Sequence, residues 1–164
     1  MKHKASILKA LRIVAIVLAV YCGIALLFPT IIGWMSKPVR IDNISQGTCE
    51  KIEERFHIML PEAARFVVHF SFPGRDSTDV YVFELDLVGK NQEESTDAYL
   101  RRMLSVNSSQ YKATFPPEAD DFYSIKLAEV GLAYTSLISP REASFDEIRY
   151  RVINNKIEVA IIWG

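Results

Sequence analysis

Between Arg12 and Lys37 the chain carries no charged residue over 24 consecutive positions, and no other feature limits its possible folds so strongly. Residues 13–35 read IVAIVLAVYCGIALLFPTIIGWM, rich in Ile, Val, Leu and Ala. No polar face recurs at the 3.6-residue period that a soluble core helix requires. As a helix rising about 1.5 Å per residue the run reaches about 35 Å, enough to cross a bilayer. Trp34 falls near the far end, where an indole favours the headgroup region, and Pro29 falls in the last third, where a kink is tolerated.

A cleaved signal peptide shares the basic start and apolar run, but its core is about 7 to 15 residues long and ends in a small-x-small site. Here the core is longer and its far end reads Ile32-Gly33-Trp34-Met35, so the expectation is an uncleaved signal anchor. Tyr21 before Cys22 argues against lipidation of that cysteine. Lys2, Lys4, Lys9 and Arg12 precede the run with no acidic residue among them. Basic flanks favour the cytoplasmic side, which predicts a cytoplasmic N-terminus and an extracytoplasmic C-terminal domain. Within the span Ala15, Ala19 and Gly23 recur every four residues as a small-residue stripe on which another membrane helix could pack.

The expected organisation is a basic cytoplasmic tail at 1–12, a transmembrane helix at 13–35, a connector at 36–46 and an extracytoplasmic domain at 47–164. After the span the chain holds 15 basic and 20 acidic residues. That balance excludes a basic nucleic-acid binder, and two cysteines, one of them inside the span, exclude a disulfide-stapled scaffold.

In the domain, SQGTCEKIEERFHIMLPEA places Ile52, Phe56 and Met59 at helical spacing, with Pro61 closing the segment. ARFVVHFSF and TDVYVFELDL then read as a hairpin around Pro73-Gly74-Arg75-Asp76. Pairing Phe72 with Ser77 gathers Ala64, Phe66, Val68, Phe70 and Phe72 on one face, sets Arg65 opposite Glu84 and leaves His69 beside Val80. NQEESTDAYLRRMLS predicts a second helix with Tyr99, Leu100, Met103 and Leu104 inward. PEADDFYSIKLAEVG predicts a third, with Gly131 as its left-handed stop, although a helix continuing past Gly131 also fits. FDEIRYRVI, Asn154-Asn155 and KIEVAIIWG form the clearest signal: a type I′ hairpin pairing Ile153 with Lys156 and Arg151 with Glu158. The fold class expected is α+β, a mainly antiparallel sheet of two hairpins with two to three helices packed on one face.

Enzyme signatures are absent from the sequence: no dinucleotide or phosphate-binding glycine loop, no zinc-protease helix, no C-x-x-C, no nucleophile elbow and no calcium loop. His57, His69 and Cys49 are too few for a structural zinc site, and Asp120-Asp121 suits a helix cap better than a carboxylate-bound divalent cation. No cofactor or metal is expected. His69 beside Glu84 and Asp86 is the best candidate acid-base cluster, weighed against three residues decorating a solvated hairpin face. Cys49 reads as a small buried residue or an odd thiol able to link two copies. Asn43-Ile44-Ser45 and Asn107-Ser108-Ser109 match the glycan acceptor pattern, a match frequent by chance. The expectation is a non-enzymatic, single-pass envelope protein that binds a protein partner through a hairpin edge or the polar loop at 105–117, with no nucleic acid involved. Two alternatives are an envelope hydrolase using His69, Glu84 and Asp86, and an accessory subunit of a membrane complex docking through its anchor.

Overall fold

The computed structural model describes residues 2–35, 37–73, 77–107, 109–112, 116–139 and 146–164, with the side chains of residues 2–11 and 29–35 outside the description. The chain divides into two compact units, residues 1–37 and residues 38–164. The first is a single helix, α1 (Lys2–Met35), which begins inside the basic tail because Lys, Ala and Leu are all strong helix formers. Its apolar side chains between Ile13 and Phe28 are exposed on every side of the helix. Among the described residues, no helix is long and apolar enough to cross a membrane. The transmembrane reading therefore rests on the sequence.

The second unit is α+β, built on a six-stranded antiparallel sheet in the order β1-β2-β3-β6-β5-β4. Its strands are β1 (Val39–Ile41), β2 (Arg65–Phe72), β3 (Thr78–Asp86), β4 (Ser136–Ile138), β5 (Glu147–Ile153) and β6 (Lys156–Trp163). The last hairpin has the expected register: Ile153 pairs with Lys156, and Asn154 and Asn155 both take positive φ, at 50° and 62°. Arg151 meets Glu158 at 2.8 Å.

The helices do not share one face of the sheet. Ile52 and Phe56 of α2 (Gln46–Phe56) and Tyr99 and Leu100 of α3 (Thr96–Met103) pack with Tyr81, Phe83, Leu85, Ile157, Val159 and Ile161. Tyr123 and Leu127 of α4 (Phe122–Glu129) pack on the opposite face with Val80, Val82, Ala160 and Ile162. Where β3 and β6 are covered on both sides they have no solvated face, so residues 80–83 and 159–162 are unbroken buried runs, while the opposite ends of the two strands alternate.

A β-bulge corrects the expected first hairpin. Arg65 and Phe66 pair with Glu84 and Phe83, but from Val68 onward the register shifts by one, so His69 faces Tyr81 and Phe72 faces Thr78. Val67 is the extra residue, and it turns Val68, Phe70 and Phe72 toward α4 while Phe66 points to the α2/α3 core. Residues 74–76 of the expected turn lie outside the described residues.

The helices are shorter than their sequence segments because caps stop them. Ser45, Ser95 and Asp121 accept the backbone N–H groups of Thr48, Ala98 and Ser124 respectively. α2 ends at His57, in the left-handed region at φ 47°, rather than at Pro61. Ile58 is consequently buried, while Met59 is turned outward. α4 ends as expected at Gly131, whose φ is 74° and whose N–H bonds to the carbonyl of Ala128.

An added Cβ would meet nothing within 4 Å at either Gly131 or Gly47 of α2, so only backbone conformation separates the two sites. Gly131→Ala is expected to cost about 1–2 kcal/mol by forcing an L-residue into the left-handed region. Gly47→Ala is expected to be neutral or to stabilise by up to about 1 kcal/mol. Urea unfolding of the two purified variants beside the parent measures both signs.

Candidate functional site

The bulge decides where the expected cluster lies. His69 points to the α2/α3 face with Tyr81, whereas Glu84 and Asp86 point to the α4 face across from Glu158 and Lys156. The three residues are therefore not brought together. His69 finds a different acid: its Nε2 lies 2.8 Å from Asp79 Oδ1, and its ring stacks on Tyr81 with centroids 4.3 Å apart. Asp79 is the diagonal cross-strand neighbour of His69 on the same face, a position visible only once the bulge is placed. Burial, reinforced by the Asp79 carboxylate, pushes the Tyr81 hydroxyl up to about 12, so it stays protonated. The arrangement fixes an imidazole between a ring and a carboxylate and ties β2 to β3.

Glu84 and Asp86 belong to a charge ladder. Lys156 donates to Glu84 and lies 3.9 Å from Asp86, and Arg65 approaches Glu84 at 3.3 Å. The Lys156 hydrogen bond holds the Glu84 carboxyl below its ordinary range, against opposing desolvation and with help from Arg65. Glu84 sits directly opposite Glu158, whose own partner is Arg151. A depression of about 220 Å³ opens here, lined by Glu84, Ile153, Asn154, Lys156 and Glu158. Its two carboxylates each have a cation, so the ladder compensates a like-charge pair. Nearby, the Tyr134 hydroxyl is buried close to Glu158 without a hydrogen bond of good geometry. Among the described residues, no group of three or more His, Cys, Asp or Glu could hold a metal ion.

Two further clusters escaped the sequence. Arg55 on α2 grips Asp146 through two 2.8 Å hydrogen bonds, donates to the carbonyl of Gly164 at 3.0 Å and lies over the Trp163 ring. Arg149, fully buried on β5, spans Asp121, Ser124 and Glu147 and lies over the Tyr123 ring. Both arginines join a helix to the sheet; Glu147 is two residues from Arg149 on the same strand, but the helix partners are distant along the chain and no local pattern announces them.

The described part of the polar loop at 105–117 is tied to the body. Tyr111 is buried and donates to the carbonyl of Phe56, while the backbone of Lys112 bonds to Ser139 and accepts from Arg101. Cys49 is half-buried on α2, and its thiol is pushed up first by burial and then by Glu53, which favours the protonated form. On α1, Ala15 and Ala19 are exposed and Gly23 is half-buried, along one stripe. Among the described strands β1 and β4 form the two edges of the sheet, β1 pairing with β2 alone and β4 with β5 alone. Compared with protein families, curated proteins and solved structures, the chain matches none.

Proposed function

We propose that the chain is a single-pass membrane protein whose N-terminal helix anchors it and displays residues 38–164 outside the cytoplasm as a non-enzymatic, protein-binding domain. The observation that carries this reading is the 24-residue uncharged run, whose described side chains stand exposed around the whole circumference of α1. An apolar surface of that extent has to be covered by lipid or by other apolar helices. The four basic residues before the run favour a cytoplasmic N-terminus. A binding role is supported by the domain's polar groups, which serve as cross-strand and helix-to-sheet partners, and by the open edge at β1.

The test is alkaline extraction of membranes from cells expressing the full chain. The chain is expected to remain in the pellet, and a reporter fused after Gly164 that works only outside the cytosol is expected to be active. Arginines placed at Val17 and Leu18 each cost about 2.5–3.5 kcal/mol at the centre of a span and are expected to move the chain to the supernatant. Release of the unaltered chain at alkaline pH would overturn the anchor.

A further inference from the structure

We propose that the outer edge of β1 is a self-association surface, on which a second copy of the chain adds its own β1 antiparallel across a two-fold axis and joins two six-stranded sheets. Among the described strands β1 pairs with β2 alone, which leaves its outer edge open, and its Val39 and Ile41 side chains are 53% and 37% exposed. Unpaired edges of this kind invite another strand.

The occupant is identified by charge. A two-fold axis perpendicular to a sheet keeps each side chain on its own face, so a residue can pair only with one on the same face of the other copy. Val39 and Ile41 share the face of His69, while Arg40 lies with Phe70 on the opposite face. Asp42 is on the Arg40 face, because Arg40 Nε donates to Asp42 Oδ1 at 2.8 Å. Three central registers then satisfy the symmetry. Centring on Arg40 or on Asp42 sets like charges directly opposite each other. Centring on Ile41 stacks the two isoleucines on one face and sets Arg40 against Asp42 of the other copy twice on the other face, turning two intrachain pairs into a four-charge ring. A strand reading Arg-Ile-Asp is thus complementary to itself in one register, as an isologous contact requires.

Pro38 lacks an N–H and ends the pairing there, so the contact is a few residues long. A contact that small holds when two copies are kept at high effective concentration in one membrane, and in this respect the inference rests on the anchor proposed above.

The test uses the full chain in lipid vesicles, with Cys22→Ala and Cys49→Ala removing the native thiols. Directly opposed cross-strand residues have Cα atoms about 4.5–5.5 Å apart, inside disulfide range. Ile41→Cys is therefore expected to oxidise to a covalent dimer, and Val39→Cys alone is not. Chains carrying Val39→Cys mixed with chains carrying Asn43→Cys are expected to cross-link to each other. Arg40→Asp is expected to abolish the Ile41→Cys dimer, and the swap Arg40→Asp with Asp42→Arg to restore it, which separates the contact from any folding defect. Equal cross-linking at positions 39 and 41, no cross-linking at 41, or insensitivity to Arg40→Asp would each overturn the contact. Alkaline extraction of the same vesicles reads the anchor separately. A pelleted chain without the Ile41 cross-link removes the contact and leaves the anchor standing. A released chain that still cross-links at high concentration does the reverse.

Discussion

Deleting Val67 is expected to leave a folded domain, whereas deleting Val82 is expected to leave none. Val67 is the extra residue of the bulge, and without it Phe66 still meets Phe83 and Val68 still meets Val82, each on its present face. The loss is the added local twist, about 1–2 kcal/mol. Val82 lies in β3, which is bonded on one side to β2 and on the other to β6. After its deletion one half of β3 must slip by a residue against β6, and every side chain in that half changes face. If the N-terminal half slips, Asp79 is driven toward the buried position now held by Val80, and Tyr81 leaves the α2/α3 core. If the C-terminal half slips, Glu84 is driven into that core in place of Phe83 and Asp86 in place of Leu85. The deleted Val82 and the two buried apolar side chains of the slipped half, at about 1.5–3 kcal/mol each, together with a buried unpaired carboxylate are comparable to the roughly 5–15 kcal/mol that holds a domain together. Near-ultraviolet circular dichroism and limited proteolysis of the two deletion variants distinguish the outcomes. A Val67 deletion that unfolds would show that the bulge itself is required.

The same bulge marks the limit of what the residues disclose. In the last hairpin the turn, the apolar alternation and the Arg151–Glu158 pair are all local, and they agree on one register. In β2 the run Arg-Phe-Val-Val-His-Phe-Ser-Phe has adjacent valines at the point where the strand changes phase. Alternation cannot register a change of phase when either valine can fill either place. The two-sided burial was written in the unbroken runs Val80 to Phe83 and Val159 to Ile162, which a one-sided sheet would not carry. Helix ends were hidden for another reason: His57 in the left-handed region gives no strong local signal, while Pro61 gives one that the fold does not use. The candidate cluster failed because pairing His69 with an acid depends on face, and face depends on the bulge. Of the arginine clusters only the pair of Glu147 with Arg149 is local; the helix partners of Arg149 lie 25 and 28 residues away and could not be read.

Replacing Arg149 by Met is expected to destabilise the domain by about 3–5 kcal/mol, or roughly 10–20 °C in Tm, although Met fills much of the space. Nη2 lies 3.0 and 3.1 Å from the two Asp121 oxygens, Nη1 donates to Ser124 Oγ at 2.7 Å, and Nε donates to Glu147 at 2.9 Å. With its side chain 2% exposed, the guanidinium is almost wholly out of water and depends on these partners. Removing it leaves the Asp121 and Glu147 carboxylates facing each other's charge without a cation. Lysine is not expected to rescue, because a single ammonium cannot serve three partners in the plane of the fork. Adding Asp121→Asn and Glu147→Gln to Arg149→Met is expected to recover much of the loss, since the uncompensated charges are then gone. The dependence on pH follows from Asp121. Burial pushes its carboxyl up, but the Ser124 amide and the Arg149 guanidinium outweigh burial and hold it below the ordinary carboxylate range. A group whose folded pKa is depressed contributes stability above its unfolded value, about 3.9, and loses it as pH falls through the folded value. The gap between the parent and Arg149→Met is therefore expected to be full at pH 7, to persist to about pH 4 and to close at lower pH, as read from thermal unfolding across that range. A gap that stays constant down to pH 2 would place the arginine's contribution in packing on Tyr123 rather than in the pair with Asp121.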